Sequence, residues 1–171
     1  MASPEHESIE FRAILHRLVS DGVEFVLIDG VAAIVLGAPI VSLDVDVVPE
    51  PSDENLNRLS EALLALHAEV LGAGRVRDFG DGDWLRASRS WNFATDLWRL
   101  DILHAPAGVT GYAALAAEAT NENVDGVMIM TASIEHLIAM KEAANRPKDQ
   151  LSLPILRWLR DRDRTTDPEP S

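Results

Sequence analysis

Two aspartates in the segment SLDVDVV, Asp44 and Asp46, carry the clearest chemical signal in the chain. The segment alternates apolar and acidic residues, so we predict a β-strand from Ser42 to Val48. Both carboxylates then point from the same face of the strand, with Cβ atoms roughly 7 Å apart. Two such charges repel each other and lose hydration. A divalent cation that prefers hard oxygen ligands, Mg²⁺ or Mn²⁺, offsets both costs.

A third carboxylate, Asp101, interrupts the apolar run of a later segment, WRLDILH, which also has the pattern of a strand. If this strand pairs beside the strand of Asp44 and Asp46, the three carboxylates converge. Three carboxylates suit two metal ions about 3.5–4 Å apart, which stabilise the attacking and leaving oxygens in phosphoryl transfer. The alternative is that the acidic pair forms the solvated face of an ordinary strand, which is the commoner meaning of an isolated D-x-D.

The order of the predicted helices and strands that position these residues indicates an α/β (α+β) fold. A mixed β-sheet is flanked by helices, and further helices follow at the C-terminus. Gly and Pro residues, apolar periodicity and helix-capping residues mark the boundaries. The predicted elements are a helix to about Ser20, a strand Glu24 to Ile28, a helix Val31 to Leu36, the strand Ser42 to Val48, a helix capped by Ser52 or Asp53, a loop with one strand over residues 72 to 90, strands Trp91 to Thr95 and Trp98 to His104, a helix Tyr112 to Ala119, a hairpin at Asp125-Gly126, a helix capped by Ser133 and a helix from about Gln150 to Arg160.

Composition limits the function further. The 171 residues have a net charge of −13 and no cysteine, which excludes disulfides and thiolate metal sites. The acidic balance argues against broad contact with a nucleic-acid backbone and suits a protein that binds metal cations or a basic partner. We expect one domain over residues 1–171, ordered from about 7 to 161 with a frayed tail from 162 to 171. A signal peptide and a membrane span are both absent from the sequence pattern, so we expect a cytoplasmic protein with no membrane partner.

Three segments together resemble the polymerase-β-like nucleotidyltransferase superfamily. They are FVLIDGVAAIVLGAPIVSLDVDVVPEP, RLDILHAPAG and IEHLIAMKEAANRPKDQLSLPIL, and the resemblance extends over about residues 10 to 160. The superfamily pattern is a strand, a glycine turn that opens a helix, D-x-D on the next strand and a third Asp on a later strand. More narrowly, the chain looks like the nucleotidyltransferase toxins of type IV toxin–antitoxin modules and their abortive-infection relatives.

By position, the resemblance implies that Asp44, Asp46 and Asp101 bind Mg²⁺ or Mn²⁺ and act in catalysis, with Asp101 helping to deprotonate the attacking hydroxyl. It implies that Gly30 and Ser42 lie against the nucleotide. The backbone N–H of Gly30 would face the phosphates at a helix N-terminus, where the helix dipole favours anions.

The same comparison assigns Lys141, Arg146 and Lys148 to the nucleotide, because relatives carry a similar K-x-x-x-x-R-P-K-D run. One of these cations would hold the outgoing pyrophosphate. The alternative for all three is a structural role, in which they interact with helix C-terminal carbonyls and with Asp149.

Two positions depart from the family pattern. Asp29 stands where the first turn glycine is expected, and its carboxylate would repel a triphosphate unless a metal or a basic residue intervenes. Ile40 stands where relatives often have Arg, so a phosphate or carboxylate partner is missing. Both changes weaken the expected phosphate cradle while leaving the acidic residues in place.

The resemblance therefore predicts an enzyme that binds a nucleoside triphosphate (NTP) with two divalent metals and transfers the nucleoside monophosphate to a hydroxyl. In the toxin-like relatives that acceptor is a tRNA 3′ end or a protein side chain, and an antitoxin is the expected partner. Asp29 and Ile40 favour the alternative, a catalytically degenerate nucleotidyltransferase fold that binds a nucleotide or a protein.

Overall fold

The computed structural model describes residues 4–75 and 80–166, with side chains described from 11 to 75 and from 80 to 164. Within these ranges, helices and strands alternate up to residue 65, and strands then follow one another in groups. In order they are α1 Pro4–Ser20, β1 Phe25–Ile28, α2 Asp29–Val35, β2 Val45–Pro49, α3 Asp53–Ala65, β3 Glu69–Val70, β4 Gly74–Arg75, a 3₁₀ helix Gly82–Ala87, β5 Ser90–Ala94, β6 Arg99–Leu103, α4 Tyr112–Glu118, β7 Thr120–Val124, β8 Val127–Thr131, α5 Ile134–Ala144 and α6 Pro147–Thr166.

The eight strands form one mixed sheet in the order β4-β3-β5-β6-β2-β1-β8-β7. Strand β2 runs parallel to β6, and β1 runs parallel to β8. The other neighbouring pairs are antiparallel. The predicted fold class, a mixed sheet flanked by helices with helices at its C-terminal end, is confirmed.

The centre of the sheet is buried on both faces. All four residues of β1 and all five residues of β2 are buried, which explains why β1 consists entirely of large apolar residues. Helix α1 packs on β8, α2 packs on β1 and β2, and α5 packs on α6. A strand pair covered in this way gives a rigid base for any side chain at its ends.

Several boundaries differ from those predicted. Strand β2 begins at Val45 and not at Ser42, because the Ser42 hydroxyl donates to the carbonyl of Asp44 at 3.0 Å and holds a bend before the strand. Helix α2 begins at Asp29. The segment predicted as a loop with one strand holds β4 and a 3₁₀ helix, and residues 76–79 of it lie outside the described residues.

Helix α6 is longer than the predicted helix at both ends. It begins at Pro147, a residue that the first helical position accepts because its N–H has no helical partner. The carboxylate of Asp149 accepts a hydrogen bond from the backbone N–H of Arg146 at 3.0 Å, the reciprocal contact of a capping box. Asn145, in the left-handed conformation with φ 48°, ends α5. No helix in the described ranges is long and apolar enough to cross a membrane.

Candidate active site

The acidic residues of the sequence meet at one row of the sheet. Asp46 on β2 lies directly beside Asp101 on the parallel strand β6. The row continues to Ile28 on β1 and to Asn92 on β5, so all four side chains share one face. Asp44 precedes β2 by one residue. The condition set by the sequence, that the strand of Asp101 pairs beside that of the D-x-D, is therefore met.

Charge is concentrated at this row. Asp46 is 9% exposed. Burial, and then the neighbouring carboxylates of Asp29, Asp44 and Asp101, raise the pKa of Asp46 well above its usual value, and only Lys148 opposes them. Burial also raises the pKa of Asp101, against a hydrogen bond from Asn92. Within the described residues, the carboxylates of Asp44 and Asp46 have no hydrogen bond or ion pair. The positive charge near this acidic cluster, Asp44, Asp46 and Asp101, therefore does not offset the cost of ionising Asp46 and Asp101.

The acidic cluster is not by itself a complete metal-binding site. Among residues 4–75 and 80–166, no three His, Asp or Glu side chains form a group that could hold a metal ion as they stand. Mg²⁺ does not need such a cage, since it keeps several waters and uses one or two carboxylates together with substrate phosphates. The donor set of Asp44, Asp46 and Asp101, all hard oxygens and undercompensated in charge, has the chemistry that such a cation requires.

Gly30, the second residue of α2, allows the segment before β2 to approach closely. A Cβ built on Gly30 would lie 2.5 Å from Oγ and 2.8 Å from Cβ of Ser42. Any larger residue would therefore displace Ser42 and the bend that leads to Asp44. Gly30 and Ser42, which the sequence assigned to the nucleotide, are in contact and line the same cleft.

Asp29 occupies a strained position that a basic partner supports. Its φ is 57°, the left-handed region that glycine favours and that Asp tolerates better than most residues. The ammonium of Lys141 lies 2.5 Å from Asp29 Oδ1, and the guanidinium of Arg146 lies 3.7 Å from Oδ2. The extra carboxylate is thus neutralised by residues 112 positions or more along the chain.

Asp149 anchors both of these cations. Its side chain is fully buried, 3.3 Å from Lys141 Nζ and 2.8 Å from Arg146 Nε. Burial alone would raise the pKa of Asp149, but the hydrogen bonds and charges of Arg146 and Lys141 lower it to about 2. Lys141 and Arg146 therefore both contact Asp149, as in the structural role that the sequence offered as the alternative to nucleotide binding. We refer to Asp29, Lys141, Arg146 and Asp149 as the ion network.

Lys148 differs from the two cations of the ion network. It makes no ion pair in the part of the chain that the structure describes, and its charge lowers the pKa of both Asp46 and Asp101. It lines a cleft of about 370 Å³ together with Gly30, Ser42 and Asp44. Ile40, the second position that departs from the pattern expected from the sequence, forms part of the apolar wall of this cleft.

Sequence reasoning missed two contributors to the site. Asn92 lies opposite Asp101 on the adjacent strand β5, and its side chain lowers the pKa of that carboxyl. Its position in the alternating segment SWNFA marks it as a polar residue of a strand, but only the register places it opposite Asp101. The sequence indicated Asp149 only as an interaction partner of the cations, and it did not indicate that the Asp149 side chain is completely buried. An acidic residue two positions after Pro147 at a helix start was the available signal.

Comparison with known proteins supports the fold assignment. No protein-family model and no curated protein matches the chain. Among solved structures, the chain is similar to a protein assigned as a nucleotidyltransferase from Thermotoga maritima, with 16% identity, a TM-score of 0.57 and coverage of 94% of this chain and 96% of that one. It is also similar to a lincosamide antibiotic adenylyltransferase, with 14% identity, a TM-score of 0.62 and coverage of 88% and 96%. A third similar structure is the antibiotic-resistance factor ANT(2″)-Ia, with 15% identity, a TM-score of 0.58 and coverage of 95% and 94%.

All three similar structures extend over nearly the full length of this chain, so the similarity covers the sheet together with the helices that follow it. At this level of identity the similarity is one of fold. The chain has the fold of the polymerase-β-like nucleotidyltransferases.

Proposed function

We propose that this chain is a metal-dependent nucleotidyltransferase that transfers a nucleoside monophosphate from an NTP to a hydroxyl. The observation that carries the proposal is the placement of Asp46 beside Asp101, with Asp44 at the start of β2, next to an open cleft that contains Gly30 and Lys148. Buried carboxylates without compensating charge are costly to a fold unless a ligand completes the site.

Asp44 and Asp46 would hold the divalent cations, Mg²⁺ or Mn²⁺, and Asp101 would be the third ligand. When bound, the cations would neutralise the phosphate oxygens and the charge that develops on the leaving pyrophosphate. Asp101 would also accept the proton of the attacking hydroxyl. Asn92, which lies opposite Asp101 on β5, would help to orient the carboxylate of Asp101.

The cleft would hold the triphosphate. Lys148 is the cation best placed for it, because it lines the cleft without an ion pair among the described residues. Gly30 and Ser42 would contact the phosphates through backbone N–H and hydroxyl groups. The ion network serves a different purpose in this proposal: Lys141 cancels the charge of Asp29, whose carboxylate would otherwise repel the nucleotide.

For the acceptor, the family resemblance suggests a hydroxyl of a tRNA 3′ end or of a protein side chain, and a role as a toxin held in check by an antitoxin. The net charge of −13 favours the protein side chain, because a tRNA backbone binds best to a basic surface. The lincosamide antibiotic adenylyltransferase among the similar structures adds an antibiotic as a third acceptor class.

A second function, a degenerate nucleotidyltransferase fold that binds a nucleotide or a protein without chemistry, has its own supporting observation. Lys141 and Arg146 are ion-paired with Asp29 and Asp149, so the charges of two cations of the family pattern are already partly neutralised. Only Lys148 remains for the phosphates.

The deciding experiment measures Mg²⁺- or Mn²⁺-dependent NTP binding by calorimetry. We expect binding in the parent protein and its loss in Asp44→Ala and Asp46→Ala. Asp125→Ala, a substitution in the exposed hairpin, is the matched control and should bind normally. The absence of metal-dependent binding in the parent would refute the enzyme proposal. Transfer activity that appears only in Asp29→Gly would identify the natural chain as the degenerate form.

A further inference from the structure

The large apolar side chains that are most exposed to solvent gather around the cleft beside the acidic cluster. Among the residues that the structure describes, Leu151, Val41 and Leu43 have the greatest exposure of this kind, at 79%, 77% and 61%. All three line the cleft of about 370 Å³. Single exposed apolar residues are ordinary, but a group of them around one cavity marks a binding surface. We therefore expect an apolar part of a ligand to cover them.

The lining of the cleft divides into a charged part and an apolar part. The charged part consists of Asp29, Asp44, Lys141 and Lys148, and the apolar part of Ile40, Val41, Leu43, Leu151 and Ile155. Helix α6 connects the two parts along one wall. Its first turn lies at the charged part, because Asp149 pairs with Lys141 there. Ile155 follows Lys148 by seven positions on the helix, which places it roughly 10 Å farther from the ion network.

The opposite wall, residues 40–44, brings the apolar part next to the acidic cluster. Ile40 packs partly against the core and forms the base of this wall, while Val41 and Leu43 are exposed at its rim. Asp44 belongs both to this wall and to the acidic cluster. A ligand held in the cleft therefore reaches the acidic cluster directly, with no side chain of the ion network between them.

An NTP has the same two-part character as the cleft. Its triphosphate needs cations and hydrogen-bond donors, whereas its base has apolar faces that gain from contact with apolar side chains. The volume of the cleft lies near the lower limit of pockets that enclose a drug-sized ligand, roughly 300–1,000 Å³. The cleft therefore holds one nucleotide and leaves the acceptor outside.

The apolar part offers little that could distinguish one base from another. Two hydroxyl side chains, those of Ser42 and Ser152, lie among its residues. Ser42 donates its proton to the carbonyl of Asp44 at 3.0 Å, and Ser152 donates to the carbonyl of Asp149 at 3.1 Å. A site discriminates strongly when its polar groups hydrogen-bond the substrate. Apolar walls contact only the faces, which every base has.

We infer that the apolar part of the cleft binds the base of the NTP by its faces, and that all four bases are accepted. The base lies between Leu151 on α6 and the pair Val41 and Leu43 on the opposite wall. Ile40, which departs from the pattern expected from the sequence, extends this apolar surface. The inference deepens the proposed function and rests on it, because the triphosphate and the metal then select the substrate without help from the base.

The base site is tested first without metal or phosphate, by titrating adenosine and cytidine into protein labelled with ¹³C at its leucine methyl groups. We expect saturable shifts of the Leu43 and Leu151 resonances with both nucleosides. The resonances of Leu71 and Leu97, exposed leucines outside the cleft, should stay in place. Equal shifts of all four leucines, or no saturable shift of Leu43 and Leu151, would overturn the site.

Selectivity is tested by calorimetry in Mg²⁺ with ATP, GTP, CTP and UTP, and with tripolyphosphate, which has no base. The four Kd values should agree within about tenfold, since one hydrogen bond to a base edge would alone be worth up to about that factor. Leu151→Ser should weaken every NTP about fivefold, because apolar contact area is lost, and should leave tripolyphosphate unchanged. Leu71→Ser, a change of an exposed leucine outside the cleft, is the matched control and should bind all five ligands as the parent does.

A preference above tenfold for one base would refute the lack of selectivity, and equal weakening of tripolyphosphate by Leu151→Ser would refute the contact with the base. If the protein binds NTPs through Asp44 and Asp46 and Leu151→Ser changes nothing, the base site fails while the proposed function stands. If no NTP binds and both nucleosides still shift Leu43 and Leu151, the proposed function fails while the nucleoside site stands.

Discussion

The pairing of Asp29 with Lys141 makes a quantitative prediction about folding stability. The two charged groups are 2.5 Å apart, with side chains 26% and 8% exposed. At an effective dielectric constant of 20, a separation of 2.5 Å corresponds to about 7 kcal/mol of attraction before desolvation. Desolvation of both groups and the partial exposure of Asp29 reduce this, so we expect a coupling free energy of about 2–3 kcal/mol.

A double-mutant cycle measures this coupling. The substitutions are Asp29→Asn and Lys141→Met, singly and together. Asn is chosen because it tolerates the left-handed conformation of residue 29, so the change removes charge without adding backbone strain. Asp29→Asn alone should cost about 1–2 kcal/mol, since Lys141 keeps Asp149 as a partner at 3.3 Å. Lys141→Met should cost about 3–5 kcal/mol, because two carboxylates lose their shared cation.

The assay is urea unfolding at neutral pH, followed by far-UV circular dichroism on all four proteins. The double variant should be more stable than the sum of the single effects predicts, by the coupling free energy. A coupling below about 0.5 kcal/mol, the limit at which independent sites add, would refute the idea that Lys141 is held by Asp29. Lys141 would then be held by Asp149 alone, at 3.3 Å.

Three further changes test the acidic cluster, the glycine contact and the ion network. Because the native pKa of Asp46 is raised, the metal-free protein should lose folding stability as the pH rises above about 4. Asp46→Asn should reduce this loss when urea unfolding is measured as a function of pH. The same dependence of stability on pH in Asp46→Asn and in the parent would contradict the prediction. Gly30→Ala should lower the free energy of unfolding by about 1–3 kcal/mol and weaken NTP binding. Adding Ser42→Gly to the same chain should restore most of the stability in a thermal melt. If stability is not restored, the clash involves a residue other than Ser42. Asp149, with its pKa lowered to about 2, should contribute about 2 kcal/mol to folding stability above pH 4, and this contribution should be lost as the pH falls through 2. Asp149→Asn should therefore remove this pH dependence from acid unfolding. Acid unfolding identical to that of the parent would argue against a buried ion pair.

Alternation along single strands was enough to identify the acidic residues. The segment SLDVDVV and the later WRLDILH each report which residues share a face, because side-chain direction in a strand has a period of two. The same local logic identified the helices, the Asp125-Gly126 hairpin and the fold class. It placed the beginning of β2 three residues too early, since the hydrogen bond from the Ser42 hydroxyl competes with strand pairing there.

Which strands and helices become neighbours was decided by the tertiary structure. Asn92 meets Asp101 only through the register of β5 with β6. The substitution of Asp29 in the glycine turn looked like a damaged phosphate site, and the structure shows that Lys141, 112 positions away, neutralises it. The sequence by itself therefore determined the fold class and the candidate metal ligands, because periodicity and turn chemistry are local. The charge balance around those residues came from contacts between distant segments, and no local pattern encodes which distant cation will pack against a given carboxylate.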